Sequence, residues 1–504
     1  MRRLALVLAE AALLAAVTGV WAQSSLTPLA GFGGADGWLA PGEGGYAYLT
    51  TTNGERGIAC GNGHLYLVNR GGGNNIRRLD PLTGADLGSP LNVDGISGGT
   101  FQVDMVRVAG DGAIYVCNLA SPVSAANPFR VYRWANEAAT PTVAFSSTNI
   151  TGGRLGDSFD VTGSGSSTLL LAGESTQGGS GARNGYVVMS TTDGVNYTGS
   201  LVTFAGTPPN GGDFRLGITF GDANRVFGTQ GGSAGFARYT AYSCAGGSLL
   251  GTGALISGTE RPMDYAVING VAVLATVSAA NATVRVYDVS EPLSPVLLLQ
   301  ANNTSGTLPA NPNANGSVAW GPISGPNATL YALSCNQGIQ AFNVMIANTN
   351  PVISGSVTWT NGVPLAGVRL ATSSGRCACT GTDGSYALAV PPGWSGTVSL
   401  EQAGWAATPP IRTHTSVAND MAHEDFSLSL AGACILNATL AGNLVYLGWP
   451  SAPGLHYQLQ SSTGLVPANW LDLGAAFSGT GCPLATTVPV NPASAGFFRL
   501  RLAP

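Results

Sequence analysis

Short apolar or alternating runs, each closed by Gly, Asn, Asp or Pro, recur along almost the whole chain, and beyond the N-terminal segment none lengthens into the periodicity of an amphipathic helix. His64-Leu-Tyr-Leu-Val, Ala113-Ile-Tyr-Val, Thr168-Leu-Leu-Leu-Ala and Thr329-Leu-Tyr-Ala-Leu read as buried strands. Each belongs to a unit opened by a more polar strand, and the units begin near Arg56, Phe101, Asp157, Asp213, Arg261 and Asn315. A spacing of roughly fifty residues lies in the range of propeller blades. The order within a unit, as in Arg56-Gly-Ile-Ala, His64-Leu-Tyr-Leu-Val and Ile76-Arg-Arg-Leu-Asp-Pro-Leu-Thr-Gly, predicts an inner strand, a middle strand and outer strands. The last unit ends after Gln340-Ala-Phe-Asn-Val, one outer strand short, and Tyr46-Ala-Tyr-Leu-Thr is predicted to supply it and close the ring without a free edge. Six blades are expected; strands near Thr140–Phe145 and Gly199–Phe204 leave seven open.

Asn348 to Pro351 marks a break, after which two further β-modules are predicted, over 352–430 and 432–504. The expected architecture is therefore all-β, a propeller over 40–347 followed by two small sandwiches. Tyr457-Gln-Leu-Gln has the alternation of a strand with one buried face. Trp449 and Trp470 in the last module suit core packing better than sugar stacking.

Composition narrows the class. Charged residues make up 9% of the chain, 72 residues are Gly, and the 44% hydrophobic content argues against disorder. All 21 basic residues are Arg, which excludes Schiff-base, P-loop and isopeptide Lys chemistry. A net charge of −5 without Arg clusters beyond Arg77-Arg78 argues against nucleic acid as a partner. Arg2-Arg3, the apolar stretch Leu4–Val17 and Val20-Trp-Ala22 form the pattern of a signal peptide over 1–22, with Glu10 as a departure. No later run is long enough for a membrane helix, so a secreted, cell-surface or periplasmic location after cleavage near Ala22 is expected. Among eight cysteines, Cys434 and Cys482 share the terminal module and are candidates for one disulfide. Cys377 and Cys379 would point to one face of a strand, while Cys60, Cys117 and Cys335 read as buried thiols.

Several stretches carry resemblances. Val284-Arg-Val-Tyr-Asp-Val-Ser-Glu-Pro-Leu-Ser-Pro-Val resembles a short repeat of bacterial surface propellers, and Ser190-Thr-Thr-Asp-Gly-Val-Asn-Tyr is similar to a degenerate Asp-box turn. Arg56-Gly-Ile-Ala, Gly156-Asp-Ser-Phe-Asp-Val and Arg261-Pro-Met-Asp-Tyr-Ala-Val resemble an uncharacterised bacterial exported domain family of unknown function, which implies a fold and no activity. Ile353-Ser-Gly-Ser-Val, Gly362-Val-Pro-Leu-Ala-Gly-Val-Arg-Leu and Thr382-Asp-Gly-Ser-Tyr-Ala-Leu-Ala-Val-Pro resemble the carboxypeptidase-regulatory-like, prealbumin-type domain. That resemblance implies a spacer or stiffener. Leu444-Val-Tyr-Leu-Gly-Trp-Pro, Asn469-Trp470 and Phe497-Phe-Arg-Leu resemble a small C-terminal β-sandwich of exported bacterial proteins.

The inner strands carry the candidate chemistry. Arg56, Asp104, Asp157 with Asp160, Asp213 with Arg215, and Arg261 with Asp264 are predicted to converge on one channel mouth. Such a set either satisfies itself or binds a polar ligand. A glycosidase would need two carboxyl groups at a set separation, for which Asp157, Asp160 and Asp264 are the candidates. A sialidase-type arginine triad finds a thin match in Arg56, Arg215 and Arg261, without a Tyr–Glu nucleophile pair. His64 is the sole His of the propeller, which disfavours His-and-metal uronate lyase chemistry. No nucleophile elbow, zinc motif, dinucleotide loop or EF-hand run is present, and no cofactor is expected. The expected function is an exported non-catalytic binding or scaffold protein for a glycan or surface protein. A secreted carbohydrate-active hydrolase or lyase and a purely structural envelope protein are the alternatives.

Overall fold

The computed structural model describes residues 23–176, 184–204, 212–222, 224–229, 235–243, 246–348, 350–360, 362–391, 393–400, 405–430, 437–449, 456–479, 484–489 and 496–503. Short strands joined by Gly- and Asn-rich turns pair with their chain neighbours, because a tight hairpin returns the chain beside itself at the least entropic cost. Blade 1 is Glu55–Gly61, His64–Asn69 and Asn75–Leu79. Blade 2 is Phe101–Val108, Ile114–Leu119, Phe129–Trp134 and Thr142–Ser147. Blade 3 is Arg154–Thr162, Leu169–Ser175, Gly185–Thr191 and Tyr197–Thr203. Blade 4 is Gly217–Phe220, Arg225–Thr229, Phe236–Ser243 and Gly246–Ala254, and blade 5 is Glu260–Ile268, Val271–Ser278, Val284–Asp288 and Val296–Ala301. Blade 6 has Gly316–Ser324, Asn327–Ser334 and Ile339–Met345.

The six inner strands neighbour one another in a closed ring, with blade 6 returning to blade 1. The strands that left a seventh blade open are the fourth strands of blades 2 and 3. Apolar side chains fill the spaces between blades: Tyr66, Ile76, Val106, Tyr132 and Trp134 are buried together between blades 1 and 2. The Asp-box-like hairpin of blade 3 is turn chemistry. Asp193 Oδ1 accepts from the Val195 and Asn196 amides at 2.8 and 2.7 Å, and Gly194 adopts φ +73°.

The ring closes with a different strand from the one predicted. Ser25–Pro28 pairs with Ile339–Met345, Leu26 lying opposite Val344. Trp38–Leu39 extends along the same edge. Tyr46–Thr50 forms no strand; Tyr46 and Tyr48 stack at 5.3 Å and pack against the core between blades 6 and 1. The aromatic content of that run serves packing, while Leu26 carries the apolar contact of the closing strand. A chain starting at Ala30 is expected to lose roughly 2 kcal/mol or more of propeller stability and to self-associate through the bared edge. Melting curves and light scattering check this, and an unchanged, monomeric variant would assign the closure elsewhere.

Two sandwiches follow. One sheet of the first has the order Ser385–Ala389, Val352–Trp359, Phe426–Leu430, Trp405–Thr408, and the other Cys377–Cys379, Arg369–Thr372, Trp394–Leu400, Ile411–Val417. Ile353, Val357, Leu370, Leu388, Val398 and Phe426 form its core. Arg369 and Arg376 reach the propeller, pairing with Asp222 at 2.8 Å and Glu291 at 2.9 Å. The second pairs Asn437–Ala441, Leu444–Trp449 and Leu484–Pro489 in one sheet. His456–Ser462 and Phe497–Ala503 pair centrally in the other. Trp449 is buried against Phe477, whereas Trp470 is half-buried under Arg499. Cys434 and Cys482 lie outside the described residues. Among the described residues no helix is long and apolar enough to cross a membrane.

Candidate functional site

β-Bulges bring charge to the axis. Register shifts interrupt the first pairing of blades 1, 2, 3 and 5 between Glu55 and Ile58, Phe101 and Met105, Leu155 and Phe159, and Glu260 and Met263. Arg56, Asp104, Asp157 and Arg261 all sit within those interruptions, where an extra residue bends the strand and re-aims its side chain. In blade 3 the bulge depends on Gly156, whose φ of +111° and 2.1 Å approach of a would-be Cβ to Asn118 O leave no room for a side chain.

The mouth tier contains Arg56, Arg70, Asp104, Arg154, Asp157, Arg215 and Arg261. Asp104 is fully buried, accepts from Arg70 Nη1 at 2.8 Å and faces Arg56 Nε at 3.6 Å. Burial outweighs both arginines and pushes its carboxyl up to about 6. Arg56 also donates from Nη1 to Glu55 O at 2.9 Å and Cys335 Sγ at 2.8 Å. Asp157 is clamped by Arg154, whose Nη2 lies 2.7 Å from Oδ1 and whose Nε also reaches Oδ2, and by Arg215 Nε at 3.1 Å. Burial alone would raise the Asp157 carboxyl, but the Arg154 hydrogen bonds and the two guanidinium charges hold it below the usual range.

Three residues further along the inner strands lies a second tier. Arg107 Nε donates to Asp160 Oδ1 at 3.1 Å, and its Nη1 reaches Ile58 O, Val106 O and Ser317 Oγ at 2.9, 3.2 and 3.1 Å. One buried guanidinium thus joins blades 1, 2, 3 and 6. Asp160 Oδ2 accepts from Thr219 Oγ1 at 3.1 Å and the Phe220 amide at 2.8 Å, bringing in blade 4. The Tyr265 amide donates to Thr219 Oγ1 at 3.2 Å, and Asp264 Oδ2 accepts from the Trp320 amide at 2.9 Å, which returns the chain of bonds through blade 5 to blade 6. The result is a closed polar girdle across all six blades. Asp264 lines the lumen and stays partly accessible, yet burial, with Asp160 nearby and Arg107 opposing, pushes its carboxyl up to about 7.

The predicted residues therefore divide into three groups. Arg56, Asp104, Asp157, Arg215 and Arg261 share the mouth, and Asp160 and Asp264 belong to the girdle. Asp213 stands apart from the mouth network, held at 3.1 Å by Arg238 Nε on the third strand of blade 4 and at 3.0 Å by Asn184 Nδ2, just before the third strand of blade 3. It lies before the inner strand of its blade, where Arg238 and Asn184 hold it, whereas Arg215, also before that strand, reaches Asp157. Arg70, Arg107, Arg154 and Thr219 were not among the predicted site residues. A signal for Arg107 exists: Asp104–Arg107 repeats the three-residue spacing of Asp157–Asp160 and Arg261–Asp264. His64, at the start of the middle strand of blade 1, binds Glu137 at 2.5 Å, in the loop after the third strand of blade 2, where Tyr66 and Arg78 also converge. No cluster of three or more His, Cys, Asp or Glu able to hold a metal occurs among the described residues.

Fold and site together define a six-bladed β-propeller whose axial channel is crossed by an arginine-centred girdle beneath a charged mouth. Residues 51–177, from blade 1 into blade 3, match the family described as Domain of unknown function (DUF4623). Two of the three runs on which the resemblance to an exported family rests, Arg56-Gly-Ile-Ala and Gly156-Asp-Ser-Phe-Asp-Val, lie within that match. Similar solved structures include a DUF4623 family protein from Bacteroides eggerthii, at 16% identity and TM-score 0.45 over 58% of this chain and 71% of that one. The Malassezia sympodialis allergen Mala s 1 is similar at 13% identity and TM-score 0.37, over 59% and 93% of the two chains. A protein from Lactobacillus plantarum is similar at 15% identity and TM-score 0.35, over 59% and 90%. No curated protein matches the sequence.

Proposed function

We propose that this is an exported, non-catalytic binding protein whose propeller offers its channel mouth to an extracellular glycan or surface protein, with the prealbumin-type and C-terminal modules as spacers. The observation that carries this reading is the division of labour between tiers. The channel carboxylate best placed for chemistry, Asp160, is occupied by three donors from Arg107, Thr219 and Phe220. A general base or nucleophile needs a lone pair aimed at substrate, and protein donors take three of the four lone-pair sites of this buried carboxylate. The mouth above it keeps partly exposed arginines, with the Arg215 side chain 28% accessible. Concave sites with a few convergent polar groups are the usual place for ligands.

One observation favours the hydrolase or lyase alternative: Asp264, raised to about 7, is held near Asp160, the kind of unequal carboxyl pair that glycosidases use. Incubation of the purified protein with a broad polysaccharide panel, read by mass spectrometry, separates the two. No released product is expected, from the wild type or from Asp160→Asn and Asp264→Asn. Products that vanish in either variant would replace the binding reading with catalysis in the channel.

A further inference from the structure

We infer that the channel mouth is an anion site formed by Arg215 and Arg261 on adjacent blades, and that it takes the carboxylate of an acidic sugar. This rests on the binding reading above and names its ligand class. Five arginines, Arg56, Arg70, Arg154, Arg215 and Arg261, meet two aspartates, Asp104 and Asp157, in a chain whose formal charge is −5. Flanking acids do not restore the balance. Glu55 is buried and accepts from the Thr50 amide of the segment before blade 1. Glu260 is likewise buried, accepting from the Ser257 amide at 2.8 Å and from Thr276 and Tyr287, both at 2.7 Å.

Two of the five cations are not fully paired. Arg56, Arg70 and Arg154 are committed to Asp104 and Asp157. Arg215 gives only its Nε to Asp157, and its two terminal nitrogens make no further hydrogen bond among the described residues. Arg261 has no ion pair among the described residues, and its Nε is buried without a hydrogen-bond partner. Burial and the neighbouring Arg215 charge both lower its pKa, the direction expected of a cation lacking its counter-charge. A guanidinium offers paired N–H donors that fit a carboxylate in bidentate fashion, so an oxyanion would satisfy Arg261 and relieve its repulsion from Arg215 at once.

A sugar is favoured over an acidic peptide by the ring beside the same tier. Phe101, 43% exposed at the start of the blade 2 inner strand, has the Arg70 guanidinium 3.7 Å from its centroid. Its other face is the kind of apolar platform on which a pyranose ring stacks, with charged groups around it to orient a uronate.

Calorimetric titration of the full-length protein with trigalacturonate, its carboxyl-reduced counterpart and a tri-glutamate peptide tests this. Trigalacturonate is expected to bind, more weakly at high salt, with the reduced sugar and the peptide at least about tenfold weaker. Arg261→Gln is expected to lower trigalacturonate affinity by about tenfold or more. The same substitution should leave the melting temperature unchanged or raised, because an unpaired, repelled cation is removed. A lowered melting temperature with unchanged affinity would make Arg261 structural and overturn the inference, as would equal binding of the reduced sugar or preference for the peptide. Cleavage of trigalacturonate would instead overturn the non-catalytic reading while leaving the anion site in place. Absence of both binding and cleavage would remove the site and leave the non-catalytic reading intact.

Discussion

Arg107→Met is expected to destabilise the propeller by about 3–5 kcal/mol, the largest single effect among the channel residues. Methionine keeps much of the apolar stem but supplies none of the donors. Asp160 would then keep a buried charge without its cation, and Ile58 O and Ser317 Oγ would lose the donor that ties blades 1 and 6 to blade 2. Those bonds close the ring across its axis, so the loss should also loosen the packing between the first and last blades. Chemical denaturation of the wild type, Arg107→Met, Asp160→Asn and the double variant, read at the propeller's own transition, gives the coupling directly. The double variant is expected to be more stable than the sum of the single losses implies, since neutralising Asp160 removes the stranded charge. Strict additivity, or a loss below about 1 kcal/mol in Arg107→Met, would show that the girdle does not hold the ring.

Propeller stability should also fall as pH rises from about 4 to about 7, and Asp264→Asn should remove much of that slope. The sign follows from proton counting. In the unfolded chain Asp264 loses its proton in the usual carboxylate range, whereas in the folded ring it keeps it up to about 7. Between those values the folded state binds more protons, so raising the pH favours unfolding. The contribution is fully present below the unfolded value and is lost as pH passes through the folded one. Asp104, pushed up to about 6, adds to the slope over a narrower window. Asp157 acts in the opposite sense at lower pH, because its depressed value contributes stability that is lost only when acid protonates it. Asp264 keeps some contact with the lumen, so screening reduces the effect to on the order of 1–3 kcal/mol. Paired melts at pH 5 and pH 8 check this: the stability of Asp264→Asn relative to wild type should rise between them. A difference independent of pH would mean that Asp264 ionises in the folded protein as it does in the unfolded chain.

Both expectations rest on groups that the sequence exposes unequally. Asp160 and Asp264 stand out as carboxylates on strands, and their three-residue spacing from Asp157 and Arg261 places them on inner strands. Arg107 carries the same spacing but looks like an ordinary exposed position of an alternating strand. Its role depends on Ser317 and Ile58, which meet it only when the ring closes. Asp213 has the opposite fate: it precedes Arg215 in an apparent inner strand, yet the regular strand starts only at Gly217, and its partners are Arg238 on the third strand of blade 4 and Asn184 just before that of blade 3.

Local pattern determined the strands, their grouping into six units, the break before the first sandwich and the concentration of charge at inner-strand starts. These are properties of short segments, set by alternation, by turn residues and by the need to bury one face of each strand. Tertiary structure alone decided which segment closes the ring, which arginines clamp which aspartates, and which cation is left over. Ser25–Pro28 and Tyr46–Thr50 are both plausible edge strands by composition, and only the geometry of blade 6 selects Leu26 opposite Val344. Likewise, Arg56 and Arg261 occupy equivalent bulges, but Arg56 finds Asp104 one blade away, while Arg261 lies beside Arg215. Charge pairing across a closed ring is a contact between residues far apart in the chain, and sequence periodicity carries no information about it.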